Sequence, residues 1–134
     1  MSPFLAELVG TALILTIGTG VVANVALPKT KGNGSGYLAV TFGWFAAVFV
    51  GVYASSAASG AHLNPAVTIG LAVAGKFSWD LVPSYLLAQL LGAMLGAILA
   101  WLAHLQQFNE TSDAATNNCQ PRISGDIFVG RRNY

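Results

Sequence analysis

Residues 32–75 contain no Asp, Glu, Lys or Arg. A typical soluble domain draws about a quarter of its residues from those four types. This chain draws 8%, and its hydrophobic residues reach 54%. Two other stretches share the pattern. Glu7 is the one ionisable side chain in residues 4–27, and residues 81–109 carry none of the four charged types. Such a chain cannot cover a folded surface with charge, so the solvent that suits it is a lipid bilayer. A helix needs about 20 apolar residues to cross the hydrocarbon core. The first and third stretches each fit one crossing, at about 4–27 and 81–103. The first does not read as a cleavable signal peptide, because it lacks a basic leading region and further apolar segments follow it.

The middle stretch is too long for one crossing and too short for two. A helix beginning at Tyr37 uses its crossing length by about Ser56. Residues 57–75 then open with small and polar side chains and close with a short apolar run of roughly half the length a crossing needs. This predicts a re-entrant segment, a loop that enters the membrane followed by a half-length helix that leaves on the same side. Irregular backbone at that depth is tolerated only where it is buried in protein or lines a wet cavity. The pattern therefore points to a pore or a binding site.

Asn64 is a favoured N-cap, and Pro65 fits the first helical position, where its missing N–H costs nothing. The half-helix is expected over 65–74, with its positive dipole end aimed at the membrane centre. Discontinuous helices of this kind recur in transport proteins. The plainer alternative is a helix cap between two ordinary elements, which is the usual meaning of Asn-Pro in a soluble protein.

Residues 59–69, SGAHLNPAVTI, resemble the first Asn-Pro-Ala box of the aquaporin, or major intrinsic protein, family. Residues 6–11, AELVGT, and 88–93, AQLLGA, resemble its helix 1 and helix 3 signatures. The three matches occur in family order and cover about residues 4–105. The resemblance implies an all-α membrane protein with the aquaporin-like fold, of which this chain holds one inverted repeat: three spanning helices and one re-entrant half-helix. The family pore uses two repeats. The second Asn-Pro-Ala box and the arginine that follows it are absent here, and no apolar run after His104 supplies a fourth helix. The expectation is a truncated copy or fragment, with residues 106–134 a polar, disordered tail.

The resemblance also assigns roles. Asn64 donates its side-chain amide to water or a polyol passing in single file, beside Pro65 and Ala66. His62 lies at the pore wall. Trp44, twenty positions before Asn64, falls at the outer selectivity constriction, where polyol-conducting members carry tryptophan and water-selective members carry phenylalanine or histidine. Seven residues from the start of its helix place it about 10 Å below the outer end. Its alternative role is an interfacial aromatic anchor, which suits Trp79 and Trp101. Glu7 either sits at the interface or, as the resemblance implies, accepts hydrogen bonds from the backbone of the re-entrant loop. Gly92 and Gly96 form a small-xxx-small pattern that permits close helix packing.

The expected function is passive transport of glycerol, small polyols and water through a multi-pass channel of the cell membrane. Its partners are those solutes and lipid, with a homotetramer expected for a full-length chain. The alternatives are a non-conducting inserted fragment, or an antiparallel homodimer that rebuilds a pore from two copies. An enzyme is disfavoured, since no nucleophile–base pair, metal cluster or phosphate loop is present. No cofactor, metal or nucleic acid is expected, and Cys119, the single cysteine, excludes an internal disulfide. The resemblance puts the N-terminus and the loop's mouth in the cytoplasm. That leaves Lys29 and Lys31 outside and Lys76 inside, against the positive-inside trend.

Overall fold

A computed structural model describes residues 1–110. These residues form five α-helices and no strands: α1 Pro3–Ala26, α2 Tyr37–Ser59, α3 Pro65–Val73, α4 Val82–Ala103 and α5 Leu105–Glu110. A short 3₁₀ turn, Trp79–Leu81, leads into α4. Three helices, α1, α2 and α4 with its leading turn, are long and apolar enough to cross a membrane.

Helix boundaries follow local chemistry. Ser2 caps α1 by accepting the Leu5 N–H, and Pro3 stands at the first helical position. After Ala26 the chain turns back on itself. Asn33 Nδ2 donates to the Leu27 carbonyl at 3.0 Å and the Gly34 N–H donates to the Val25 carbonyl at 3.1 Å, which satisfies carbonyls the helix end leaves open. α2 continues to Ser59 rather than ending near residue 56. The serines do not break it, because Ser55 and Ser59 donate to the carbonyls of Gly51 and Ser55 one turn back. Gly60, at φ 82°, then ends the helix in the left-handed conformation. α3 is nine residues long, about 13 Å. It closes on a Schellman turn, with Gly75 at φ 70° and the Lys76 N–H donating to the Leu71 carbonyl at 2.9 Å.

Helix α1 packs against both α2 and α4, and α3 packs against α4. Close approach fixes the directions. A methyl added at Gly92 would collide with the Leu8 carbonyl oxygen, and one added at Gly96 would lie 2.5 Å from the Ala12 carbonyl oxygen. Those pairs advance together, so α1 and α4 run parallel. The corresponding neighbours on α2 run the other way: Gly51 meets Ile14, Trp44 meets Gly18 and Gly43 meets Val21. α2 therefore ends at the end of the bundle where α1 and α4 begin. Residues 60–81, α3 included, leave and return at that same end.

The interior is small and partly polar. Ala6, Ala47 and Ala88 are fully buried, and so are Glu7, Ser55 and Thr68. Long apolar side chains point outward instead, among them Phe42, Phe45, Phe49 and Leu90. That is the reverse of a soluble bundle and suits helices surrounded by lipid or further protein. Of the polar segment expected to be disordered, residues 106–110 belong to α5, whose Leu-Gln-Gln opening favours a helix. The rest of that segment lies outside the described residues, Cys119 with it.

Because the α1–α4 contact is backbone against backbone at Gly92, Gly92→Ala should separate the helices. We expect a loss of roughly 1–3 kcal/mol, read as a lower unfolding temperature in detergent. Gly70→Ala, where an added methyl meets nothing within 4 Å, should leave that temperature unchanged or raise it slightly.

Candidate functional site

Residues 60–64 link α2 to α3 through unusual backbone. Gly60, Ala61 and Leu63 all have positive φ, at 82°, 52° and 51°. For Ala61 and Leu63 that conformation costs about 1–3 kcal/mol each and persists only where surrounding structure enforces it. The enforcing group is Glu7.

Glu7 is 0% exposed although it is a carboxylate in an apolar helix. Its Oε1 accepts from the Ser59 hydroxyl at 2.6 Å and from the His62 N–H at 2.9 Å. Its Oε2 accepts from the Leu63 N–H at 2.7 Å and from Gln89 Nε2 at 2.8 Å. All four donors are neutral, so partial charges rather than a counter-ion balance the carboxylate. Hydrogen bonds to a charged group contribute about 1.5–3 kcal/mol each. Two of these four land on the strained loop itself, which matches the scale of its backbone cost. The carboxylate thus ties α1, the end of α2, the loop and α4 into one point.

A second tier surrounds this point. Gln89, 1% exposed, also donates to Thr68 Oγ1 at 2.9 Å. Its Oε1 has no partner among the described residues. Turning the amide over would face that oxygen to the Glu7 carboxylate, so the orientation seen is the cheaper one. Thr68 Oγ1 lies 3.1 Å from His62 Nδ1 and 3.3 Å from the Asn64 carbonyl oxygen. The His62 ring stands against Phe77 at 4.6 Å and Tyr85 at 5.0 Å, and Tyr85 donates its hydroxyl to the Ser59 carbonyl at 2.9 Å.

Asn64 sits at the end of this scaffold, extended at φ −154° and exposed. Its Oδ1 accepts from the Ala66 N–H at 2.8 Å. The amide face that remains is the NH₂, with two donors that no described residue uses. Pro65 and Ala66 form the first turn of α3 behind it. Among the described residues none donates to the carbonyl oxygens of Gly60, Ala61, His62 or Leu63, whereas the N–H groups of Ala61, His62 and Leu63 are all used. The loop therefore offers a row of acceptors beside one fixed pair of donors.

The structure brings Glu7, His62, Asn64, Pro65 and Ala66 together. Trp44 stands apart from them, fifteen residues before the end of α2, or about 22 Å along the helix. It packs on α1 at Gly18 and borders an apolar groove with Phe45, Val48, Phe49 and Val52. Gln89, Thr68, Ser59 and Tyr85 were not singled out by the sequence alone. Gln89 carried a usable signal: it is the one carboxamide in α4, and a lone amide in an apolar helix needs a partner.

The sequence model of the family described as major intrinsic protein matches residues 1–129. The chain is 53% identical over 113 residues to the probable glycerol uptake facilitator protein of Thermotoga maritima, covering 84% of this chain and 48% of that protein. It is 50% identical over 131 residues to the glycerol uptake facilitator protein of Streptococcus pneumoniae R6, covering 95% and 56%. With the glycerol uptake facilitator protein of Bacillus subtilis it shares 44% identity over 115 residues, covering 86% and 42%. The chain spans about half the length of the curated relatives it matches.

Glu7→Gln tests the knot directly. An amide replaces one acceptor by a donor, and on either side it would face a backbone N–H that cannot turn away. Hydrogen exchange of the His62 and Leu63 amides should accelerate by about ten- to a hundredfold, while exchange in mid-α1 changes little. Unchanged protection at both amides would show that the loop is held by something else.

Proposed function

The chain belongs to the major intrinsic protein family, and from that premise we propose that it forms one wall of a channel for glycerol, other small polyols and water. The observation that carries this reading is Asn64. Its carbonyl is locked to the Ala66 N–H, so its amide can present only donors, and it does so beside four loop carbonyls that have no donor among the described residues. In an apolar chain such a track is stable only against water or a hydroxylated solute. Donors and acceptors in a fixed sequence suit a molecule that carries both on each oxygen.

The roles follow from position. Asn64 donates to the passing oxygen. Pro65 and Ala66 begin α3 behind it, and the helix's positive end disfavours cations there. His62, held by Thr68 and two aromatic rings, turns its remaining ring edge to the lumen. Trp44 offers an indole face to the carbon side of a polyol. Glu7 supports the loop and touches no solute. The protein acts in the cell membrane as a multi-pass transporter rather than as an enzyme, with its N-terminus in the cytoplasm and with homotetramers formed by the complete pore. The described residues supply one half-helix and one wall, so conduction calls for an opposing repeat.

The test is glycerol-driven reswelling of liposomes, followed by light scattering. The chain continued by the second repeat of the Streptococcus pneumoniae relative should reswell well above bare lipid, and the chain alone should match bare lipid. A correctly inserted fusion that passes no glycerol would overturn the channel reading. In the conducting fusion, Asn64→Asp places a carboxylate at the track, where an uncompensated charge costs at least about 2.5 kcal/mol. We expect slower glycerol passage and a measurable cation leak; unchanged flux and leak would remove Asn64 from the role.

A further inference from the structure

Gly18 occupies the middle of α1, where glycine weakens a helix relative to alanine. Its backbone is ordinary helix, unlike the glycines at 34, 36, 60 and 75, which have positive φ. Conformational freedom therefore does not account for it. Space does. A methyl built on Gly18 would lie 2.5 Å from Trp44 Cζ3, 2.6 Å from Cε3 and 2.8 Å from Cη2. Three atoms of the six-membered ring thus rest on a surface that only hydrogen leaves open. Gly20, one turn-half further along the same helix, meets nothing closer than His104 Cε1 at 3.8 Å, which is ordinary contact.

The other two tryptophans are not seated in this way. Trp79 and Trp101 are 58% and 49% exposed, as interfacial anchors are. Trp44 is half-buried, with one side against α1 and the other bordering the groove of Val48 and Phe49. A side chain at position 18 would have to push the ring away from α1 and into that space.

We infer that Gly18 is the positioning residue for Trp44: by lacking a side chain it seats the indole against α1 and so sets the width of the passage beside the ring. The inference rests on the channel reading for what the seat does to solutes, but the seat itself is independent of that reading. A wall moved inward obstructs the wider solute more. Gly18→Ala should therefore lower glycerol permeability relative to water, roughly three- to tenfold for a ring forced off its rotamer.

Two measurements separate the parts. In a background with Trp79→Phe and Trp101→Phe, Trp44 emission and its quenching by brominated lipid report the ring's place directly in the 134-residue chain. Glycerol and water permeabilities are then measured in the conducting fusion. Gly18→Ala should shift the emission and lower the glycerol-to-water ratio, while Gly20→Ala should do neither. Adding Trp44→Phe to Gly18→Ala should restore the ratio toward that of Trp44→Phe alone, since the smaller ring leaves room for the methyl. Should Gly18→Ala alone fail to insert, recovery of inserted protein in the double variant supports the seat, and no recovery overturns it. Unchanged emission and ratio in Gly18→Ala overturn the inference. A shifted emission with a ratio that neither Gly18→Ala nor Trp44→Ala alters leaves the seat standing and overturns its effect on selectivity, so the failure falls on Trp44 as a filter residue.

Discussion

A single buried carboxylate holds the loop of residues 60–64 and the start of α3 in place. Glu7 receives four hydrogen bonds from α1's three neighbours: the end of α2, the loop and α4. Without them residues 60–64 have no reason to hold two non-glycine residues in the left-handed region, and nothing holds the His62 and Leu63 N–H groups against α1. An uncompensated carboxylate in an apolar helix is costly. The same cost, once met by loop amides, becomes the force that keeps the loop folded. Helix packing and loop conformation are linked here because two of the donors that satisfy the charge belong to the segment that leads to Asn64.

The packing around that point explains the composition. Alanine, glycine and serine line the α1–α2 and α1–α4 contacts, which lets backbones approach closely where burying large side chains would bring no gain from lipid. The bulky residues face outward, where lipid or further protein can cover them. Gly92 and Gly96 admit α1's carbonyls, and Gly18 admits the Trp44 ring. In each case the glycine is explained by what lies against it.

Much of this was legible in the sequence, for reasons that differ by residue. The three long helices could be read from the missing charges, since a bilayer leaves few other options for such runs. The half-helix could be read from Asn64 and Pro65, because capping is local chemistry. The link between Glu7 and the loop was legible only through the resemblance to a known family, and no periodicity relates residue 7 to residues 62 and 63. Gln89 and Thr68 went unread for the same reason, as their partners lie far away in sequence. Crossing length alone ends α2 near residue 56, whereas the helix runs to Ser59, with the Ser55 and Ser59 hydroxyls bonding back to its own carbonyls. Gly18 gave no sign of its role, because a glycine's neighbours are visible only in three dimensions.

We propose that the Glu7 knot holds the loop inside the membrane, with Asn64 and the start of α3 near its middle. Depth-dependent quenching of a single fluorescent probe at position 66, using lipids brominated at graded positions along the acyl chain, measures this most directly. Strongest quenching is expected from labels deepest in the acyl chain, close to the bilayer centre. Strongest quenching by labels at the headgroup region would contradict it.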